Sequence, residues 1–210
     1  MGRRPTISRD AAVRSALDII DEQGLPALTL DAIAKRLGST TPALYNHFSN
    51  RADLLAGVAR HLLTDLPLPE LPTHNDWRSQ LIELCVETRH AILRHPHAAP
   101  LLLQFLPRRL LLPAYEHWGQ IMISGGVPPA MLLPITKGLE SLTYGTALFE
   151  AAAISERLSP FPQFEPTVYP AVATALDSNR QDPERMFRAT LKGFLDGILQ
   201  PHTSEERANV

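Results

Sequence analysis

Two groups of side chains in this 210-residue chain have the types and spacing to do chemistry. The first lies within TLDAIAKRLGSTTPALYNHFSNR, residues 29–51, where Thr40, Thr41, Pro42, Ala43, Tyr45, Asn46 and His47 are short, small or aromatic and most of them hydrogen-bond. Hydroxyls and amides of that kind read base edges, a small residue permits close approach, and neighbouring cations such as Lys35 and Arg51 hold phosphates. The second group is Glu83, Glu87 and His90 at i, i+4 and i+7, with His95 and His97 close by, a spacing that could present a metal face. That stripe continues to Arg94 and lies opposite Trp77, Leu81 and Leu84, so a solvated polar face is the better reading and no metal is expected. No G-x-S-x-G, Walker loop or H-E-x-x-H occurs, so no catalytic residue or cofactor is assigned. The single cysteine, Cys85, falls in an apolar stripe and reads as core.

The elements that must position the first group follow from local signals. Thr29 can cap a helix whose apolar positions Ile33, Ala34 and Leu37 recur at helical spacing, and Gly38 stands where the chain must turn with positive φ. Thr41 is a good cap for a second helix, Pro42 suits its first position, and the helix is predicted to run to about Phe48. Leu44 and Phe48, four apart, face inward and so turn Thr41, Ala43, Tyr45, Asn46 and His47 outward. Two helices joined by a short glycine-containing turn make a helix-turn-helix, whose second helix enters the DNA major groove. Ser8 is predicted to cap the preceding helix, which Gly24 ends, and Asn50 the following one, Arg51 to about Leu63.

The order T-x-x-x-I-A-x-x-L-G-x-x-x-x-x-L-Y-x-H-F-x-N-R-x-x-L-L resembles the DNA-binding domain of TetR-type transcriptional regulators. The resemblance covers roughly the first third of the chain. It implies DNA contacts from Thr29, Lys35, Thr40, Thr41, Pro42, Ala43, Tyr45, Asn46, His47 and Arg51, with Asn46 or Thr41 on base edges and Tyr45, His47 and Arg51 on phosphates. The sequence departs from the pattern at Asp31, where many family members carry arginine; an acid there repels phosphate.

Charge division agrees with a cationic amino end. The chain has 20 Lys/Arg and 22 Asp/Glu; residues 1–63 hold eight basic against six acidic side chains, +2, and the remainder is −4. Prolines at 67, 69 and 72 interrupt any helix, which places a boundary between a DNA-binding domain, 1–66, and a helical ligand-binding and dimerisation domain, 67–210. Beyond it, Asp76 is expected to cap Trp77 to about Arg94; shorter helices follow at Ala98 to Leu106 and Leu112 to Ser124. A long helix runs from Pro128-Pro129 to about Ala153, with Pro134 kinking it or marking its first turn. A proline-rich loop, a short helix within Thr167 to Leu176 and a last helix capped by Asp182 complete an all-α chain. No apolar run reaches membrane-spanning length, the basic amino end lacks a following apolar segment, and one cysteine forms no internal disulfide, so a cytoplasmic location is expected.

Gly138, Ser141 and Gly145 on the long helix, and Gly193 and Gly197 beside Phe194 on the last, form small-residue faces that suit close helix packing. The resemblance implies that these serve a homodimer, since family members pair through a four-helix bundle; intramolecular packing is the alternative. It also implies a palindromic double-stranded DNA operator and release by a small molecule. Leu102, Leu103, Phe105, Tyr115, Trp118, Met122 and Tyr144 are predicted to line a pocket for a hydrophobic or aromatic effector, anionic if Arg108 or Arg109 turns inward. The family's namesake binds a tetracycline-magnesium chelate through a histidine in this region; here the stretch APLLLQFLP, residues 99–107, has none, so that chelate is not expected. A ligand-independent or activating DNA binder is the runner-up, and a helical enzyme a remote alternative.

Overall fold

A computed structural model describes residues 8–64, 77–157, 159, 162–178 and 182–199. Among the described residues there are ten α-helices and no strand. The proline-rich boundary around residues 65–76, the Asp76 cap and the basic arm of residues 2–6 lie outside the described residues.

The first four helices build the head. α1, Arg9–Gln23, starts at Ser8, whose hydroxyl accepts from the Ala11 N–H at 3.0 Å, and stops at Gly24 with φ +81°. α2, Leu30–Arg36, starts at Thr29, whose Oγ1 accepts from the Ala32 N–H at 3.0 Å, and Gly38 takes φ +62° just beyond it. α3 spans Thr41–Tyr45, shorter than the sequence suggests, and its cap is Thr40 rather than Thr41. The Thr40 hydroxyl makes no capping bond, and the Thr41 hydroxyl is turned back onto α2, as described below. α4, Arg51–Leu62, starts at Asn50, whose side chain accepts from the Asp53 N–H at 2.9 Å. Ala12, Ala16, Ile20, Ile33, Leu44, Phe48, Leu54 and Val58 are buried together between these helices. Burial of a leucine or isoleucine side chain is worth about 1.5–3 kcal/mol, so this small core fixes the angle between α2 and α3.

The body begins with α5, Trp77–Leu93, followed by turns and the short α6, Leu101–Phe105. α7 runs Arg108–Ser124, four residues earlier than expected, with Pro113 inside it; the carbonyl its missing N–H leaves free belongs to Arg109, on the exposed side. α8 is one 28-residue helix, Pro129–Glu156, that carries Pro134 within it for the same reason, Ala130 being exposed. Arg157 closes it in the left-handed region, φ +54°. α9, Pro170–Ser178, buries none of its residues, and α10, Pro183–Ile198, starts at Asp182, whose carboxylate accepts from the Glu184 N–H.

Two buried clusters hold the body. One joins Trp77, Leu81, Cys85, Ile121, Met122, Ile135, Leu139, Leu191 and Leu195 across α5, α7, α8 and α10. The other continues out of the head core into Ile92, Ala98, Leu101, Leu102, Leu111, Ala147 and Ala151. The head and the upper end of the body therefore share one apolar core.

The polar stripe of α5 keeps Glu83 and Arg94 exposed, as expected, with Glu87 and His90 half-buried. Glu83 accepts from the Arg188 guanidinium and His90 Nε2 lies 2.8 Å from Glu184, so the stripe docks onto α10. The Arg188 guanidinium, then His90, hold the Glu184 carboxyl below its usual range. His95 and His97 face α1 instead: His95 Nδ1 is 2.6 Å from Asp21 Oδ2, and His97 Nδ1 is 3.0 Å from the Asp21 carbonyl. Among the described residues, no three His, Cys, Asp or Glu side chains converge as a metal site would require.

Candidate nucleic-acid interface and interior cavity

Leu44 and Phe48 anchor the α3 region inward, and the side chains between them face out. Thr40, Pro42, Tyr45 and Asn46 are exposed, and Thr41, Ala43 and His47 half-buried, which brings the predicted reading residues onto one surface. Thr29 lies beside them at the start of α2, with one lone pair committed to its cap.

Charge on this surface is set by which cations are already engaged. Arg9 reaches from the start of α1 to Asp53 at 2.5 Å, donates to the His47 carbonyl and lies 4.5 Å over the Phe48 ring. It bolts α1 to the end of the recognition segment, and together with the Ser49 N–H holds the Asp53 carboxyl below its usual range. Arg36 donates from both terminal nitrogens to the two oxygens of Glu22, at 2.8 and 2.6 Å, and so ties α2 to α1. Lys35 and Arg51 are exposed and have no carboxylate partner among the described residues, which leaves them available for phosphate. An Arg51→Ala variant should weaken all DNA sequences alike and reduce the slope of log affinity against log salt by about one phosphate contact. A change at one base position only, read in a binding titration over 50 to 200 mM salt, would contradict that role.

Sequence reasoning treated Asp31 only as a departure. In the structure it is a partner: the Thr41 hydroxyl donates to Asp31 Oδ1 and closes the turn between α2 and α3. The signal was the ten-residue spacing that sets the first turn of one helix against the first residue of the next.

The family model for bacterial regulatory proteins of the tetR family matches residues 12–58, which run from α1 into α4. The tetracycline repressor protein class A from transposon 1721 of Escherichia coli is 27% identical over 194 residues, 91% of this chain and 90% of that protein. The crystal structure of the Streptomyces coelicolor TetR family protein ActR in complex with (S)-DNPA superposes with a TM-score of 0.74 at 26% identity, covering 93% and 98% of the two chains. This chain belongs to the TetR family of transcriptional regulators. Mycobacterium smegmatis BioQ is a further structural relative, with a TM-score of 0.67 and 25% identity over 91% of this chain and 97% of that one.

This TetR-family regulator is thus an all-α, DNA-binding protein with a helix-turn-helix near its amino end and a helical remainder. No helix among the described residues is long and apolar enough to cross a membrane.

In the helical remainder a small cavity of about 30 Å³ opens between α5, α7 and α8, walled by Cys85, Tyr115, Trp118, Glu140, Thr143 and Tyr144. A groove of about 360 Å³ lies outside it, walled by Tyr115, Gly119, Met122, Leu132, Thr136 and Lys137. Tyr115 is common to both. Its hydroxyl donates to Glu140, whose other oxygen holds Lys137 Nζ at 2.6 Å. Burial raises the Tyr144 phenol, and burial with the Glu140 carboxylate raises that of Tyr115, so both remain hydrogen-bond donors at neutral pH. The Cys85 thiol is pushed up to about 11 by burial, which makes it an inert wall rather than a nucleophile. Among the described residues Trp118 Nε1 is buried without a partner, and Thr143 Oγ1 meets only the Cys85 thiol.

Of the predicted pocket residues, Tyr115, Trp118 and Tyr144 wall the cavity and Met122 the groove. Leu102 is packed into the shared core, Phe105 packs against it, and Leu103 is 74% exposed; none of the three reaches either space. Arg108 and Arg109 are exposed. Leu102, Leu103 and Phe105 all belong to α6, whose buried face packs into the core shared with the head. Glu140, Thr143, Leu84, Thr88, Leu111 and Ala114 are walls that the sequence did not single out.

The small-residue faces divide. A side chain at Gly138 would meet the Phe194 ring at 2.0 Å, so Gly138 and Phe194 pack on each other within the chain, with Phe194 half-buried. Gly145, Gly193 and Gly197 have open space around them and Ser141 is exposed.

Proposed function

We propose that this regulator is a homodimeric repressor that leaves a palindromic operator when a small hydrophobic or aromatic molecule enters the cavity between α5, α7 and α8. The observation that carries the reading is that cavity: apolar and aromatic walls with two buried, poorly satisfied polar atoms, Trp118 Nε1 and Thr143 Oγ1. A buried polar group without a partner costs about 1–3 kcal/mol, which a ligand supplying a carbonyl and a hydroxyl recovers on binding. The ActR structures in complex with (S)-DNPA and with actinorhodin support the reading, since a relative of this chain takes up small molecules.

The apo cavity is too small for such a ligand, so entry must displace Tyr115, the wall it shares with the outer groove. Tyr115, Tyr144 and Leu111 all pack against the core that continues through Leu101 and Leu102 to the buried face of α4. Displacement of this wall moves α6 against α4 and changes the separation of two heads that must sit one DNA turn, about 34–36 Å, apart. Residues 1–66 act as the DNA-binding unit and 67–210 as the sensing and pairing unit. A cytoplasmic location suits both.

Titration with aromatic hydroxyketones is expected to quench tryptophan fluorescence through Trp118. It should add about 2.7 kcal/mol of stability at a hundredfold excess over Kd, and release the protein from DNA recovered by selection. Magnesium with tetracycline should do neither. Undiminished DNA binding with every ligand that stabilises the protein would replace this reading by the ligand-independent one.

A further inference from the structure

The face that α2 and α3 present contains a carboxylate where a groove-binding surface normally has donors, and that carboxylate is bonded to the first residue of α3. Asp31 is exposed, in the first turn of α2, and accepts the Thr41 hydroxyl proton on Oδ1. A hydroxyl has one proton and two lone pairs. With its proton committed to Asp31, Thr41 Oγ1 has only acceptor capacity left to offer outward, and Asp31 Oδ2 has no partner among the described residues. The pair is therefore an acceptor-only surface.

In the major groove only the amino groups of cytosine and adenine donate; guanine shows O6 and N7, and thymine shows O4 and a methyl group. Adenine sets an N7 acceptor beside its amino group, so a carboxylate facing it gains one bond and meets one repulsion. Cytosine shows the amino group without that acceptor. We infer that Asp31 and Thr41 together form a specificity element that selects a cytosine, through its N4 amino group, at one position in each operator half-site. The inference rests on α3 docking in the major groove. It also gives the acid a role: it excludes guanine and thymine by lone-pair repulsion, while Lys35 and Arg51 supply the phosphate attraction.

The test uses the full chain and a random DNA pool. Wild-type protein should return a half-site with one strongly selected cytosine. Replacement of that cytosine by pyrimidin-2-one, which lacks the amino group, should lower affinity tenfold or more. Asp31→Asn, whose amide both donates and accepts, should lose the preference at that position and keep it elsewhere, and Thr41→Val should weaken it there. Two results overturn the inference alone: full affinity for the pyrimidin-2-one site, or an Asp31→Asn protein that binds every sequence more tightly with unchanged preference. The second would mean that the acid merely repels phosphate. Should Asp31→Asn melt cooperatively at much lower temperature, the base-analogue arm decides with wild-type protein. If no sequence is enriched by the wild type, the docking of α3 fails and this inference with it.

Discussion

A Phe149→Glu variant is expected to sediment as a monomer and to bind a two-half-site operator at least about a hundredfold more weakly, with its melting temperature little changed. Phe149 is 82% exposed, the largest exposed ring on α8, and stands on the same helical face as Gly145 and Ser141 at four-residue spacing. On α10, Gly193 and Gly197 present an open surface beside Met186, and α9 buries none of its residues although Ala171, Val172 and Leu176 are apolar. These helices leave apolar surface that a second copy of the chain would cover. Burying each Phe149 is worth about 1.5–3 kcal/mol, and a carboxylate in its place would be desolvated without a partner. The DNA consequence is larger than the interface energy, because one short recognition helix contacts too few base pairs, and pairing by two-fold symmetry doubles them. Phe194→Glu is the wrong probe: Phe194 fills the space over Gly138 in its own chain, so that change should lower the melting temperature before it separates protomers. Wild-type protein that sediments as a monomer at micromolar concentration would overturn the assignment.

What was legible in the sequence were signals carried by one residue and its close neighbours. Ser8, Thr29 and Asn50 all accept the N–H bonds that their type and position announced, and Gly24 and Gly38 take the positive φ that turns need. Leu44 and Phe48 point inward because their spacing matches a helical turn. What was not legible depended on partners distant in sequence. That α10 brings Arg188 and Glu184 to Glu83 and His90 along the polar stripe of α5 is visible only once the helices are packed. That Gly138 receives the ring of Phe194 from its own chain likewise shows only when α10 is laid on α8. Prolines mislead in the same way: Pro113 and Pro134 sit inside helices because the carbonyls they orphan, on Arg109 and Ala130, face water. The pocket depended on the same distant partners: α6 turns Leu102 and Phe105 into the core shared with the head and Leu103 outward, while Tyr115, Trp118 and Tyr144 wall the cavity.

Arg89 is the residue whose placement was least expected, and removing its partner should have the largest effect on stability. It lies near the carboxyl end of α5, where a guanidinium would normally reach solvent, yet it is 5% exposed. Its Nε and Nη2 donate side by side to the two oxygens of Glu150 on α8, and its guanidinium carbon lies 5.7 Å from the Phe187 ring centroid on α10. One side chain thus joins three helices next to Thr88 and Thr143, which wall the cavity. A buried pair of this kind gains little over an apolar substitute, since desolvation offsets most of the attraction; breaking it is another matter. Glu150→Ala leaves the cation buried with only the ring for company and is expected to cost about 3 kcal/mol, the lower end of the usual 3–5 because Glu150 is partly open to water. For a chain of this size that is a drop in melting temperature on the order of 10 °C. The double change Arg89→Met with Glu150→Leu should recover most of the loss, because no charge then remains to be desolvated. Thermal melts of the three variants in one buffer decide the matter: a Glu150→Ala protein as stable as the wild type would show that water already solvates Arg89, and the ion pair would then contribute nothing to the packing of α5 against α8.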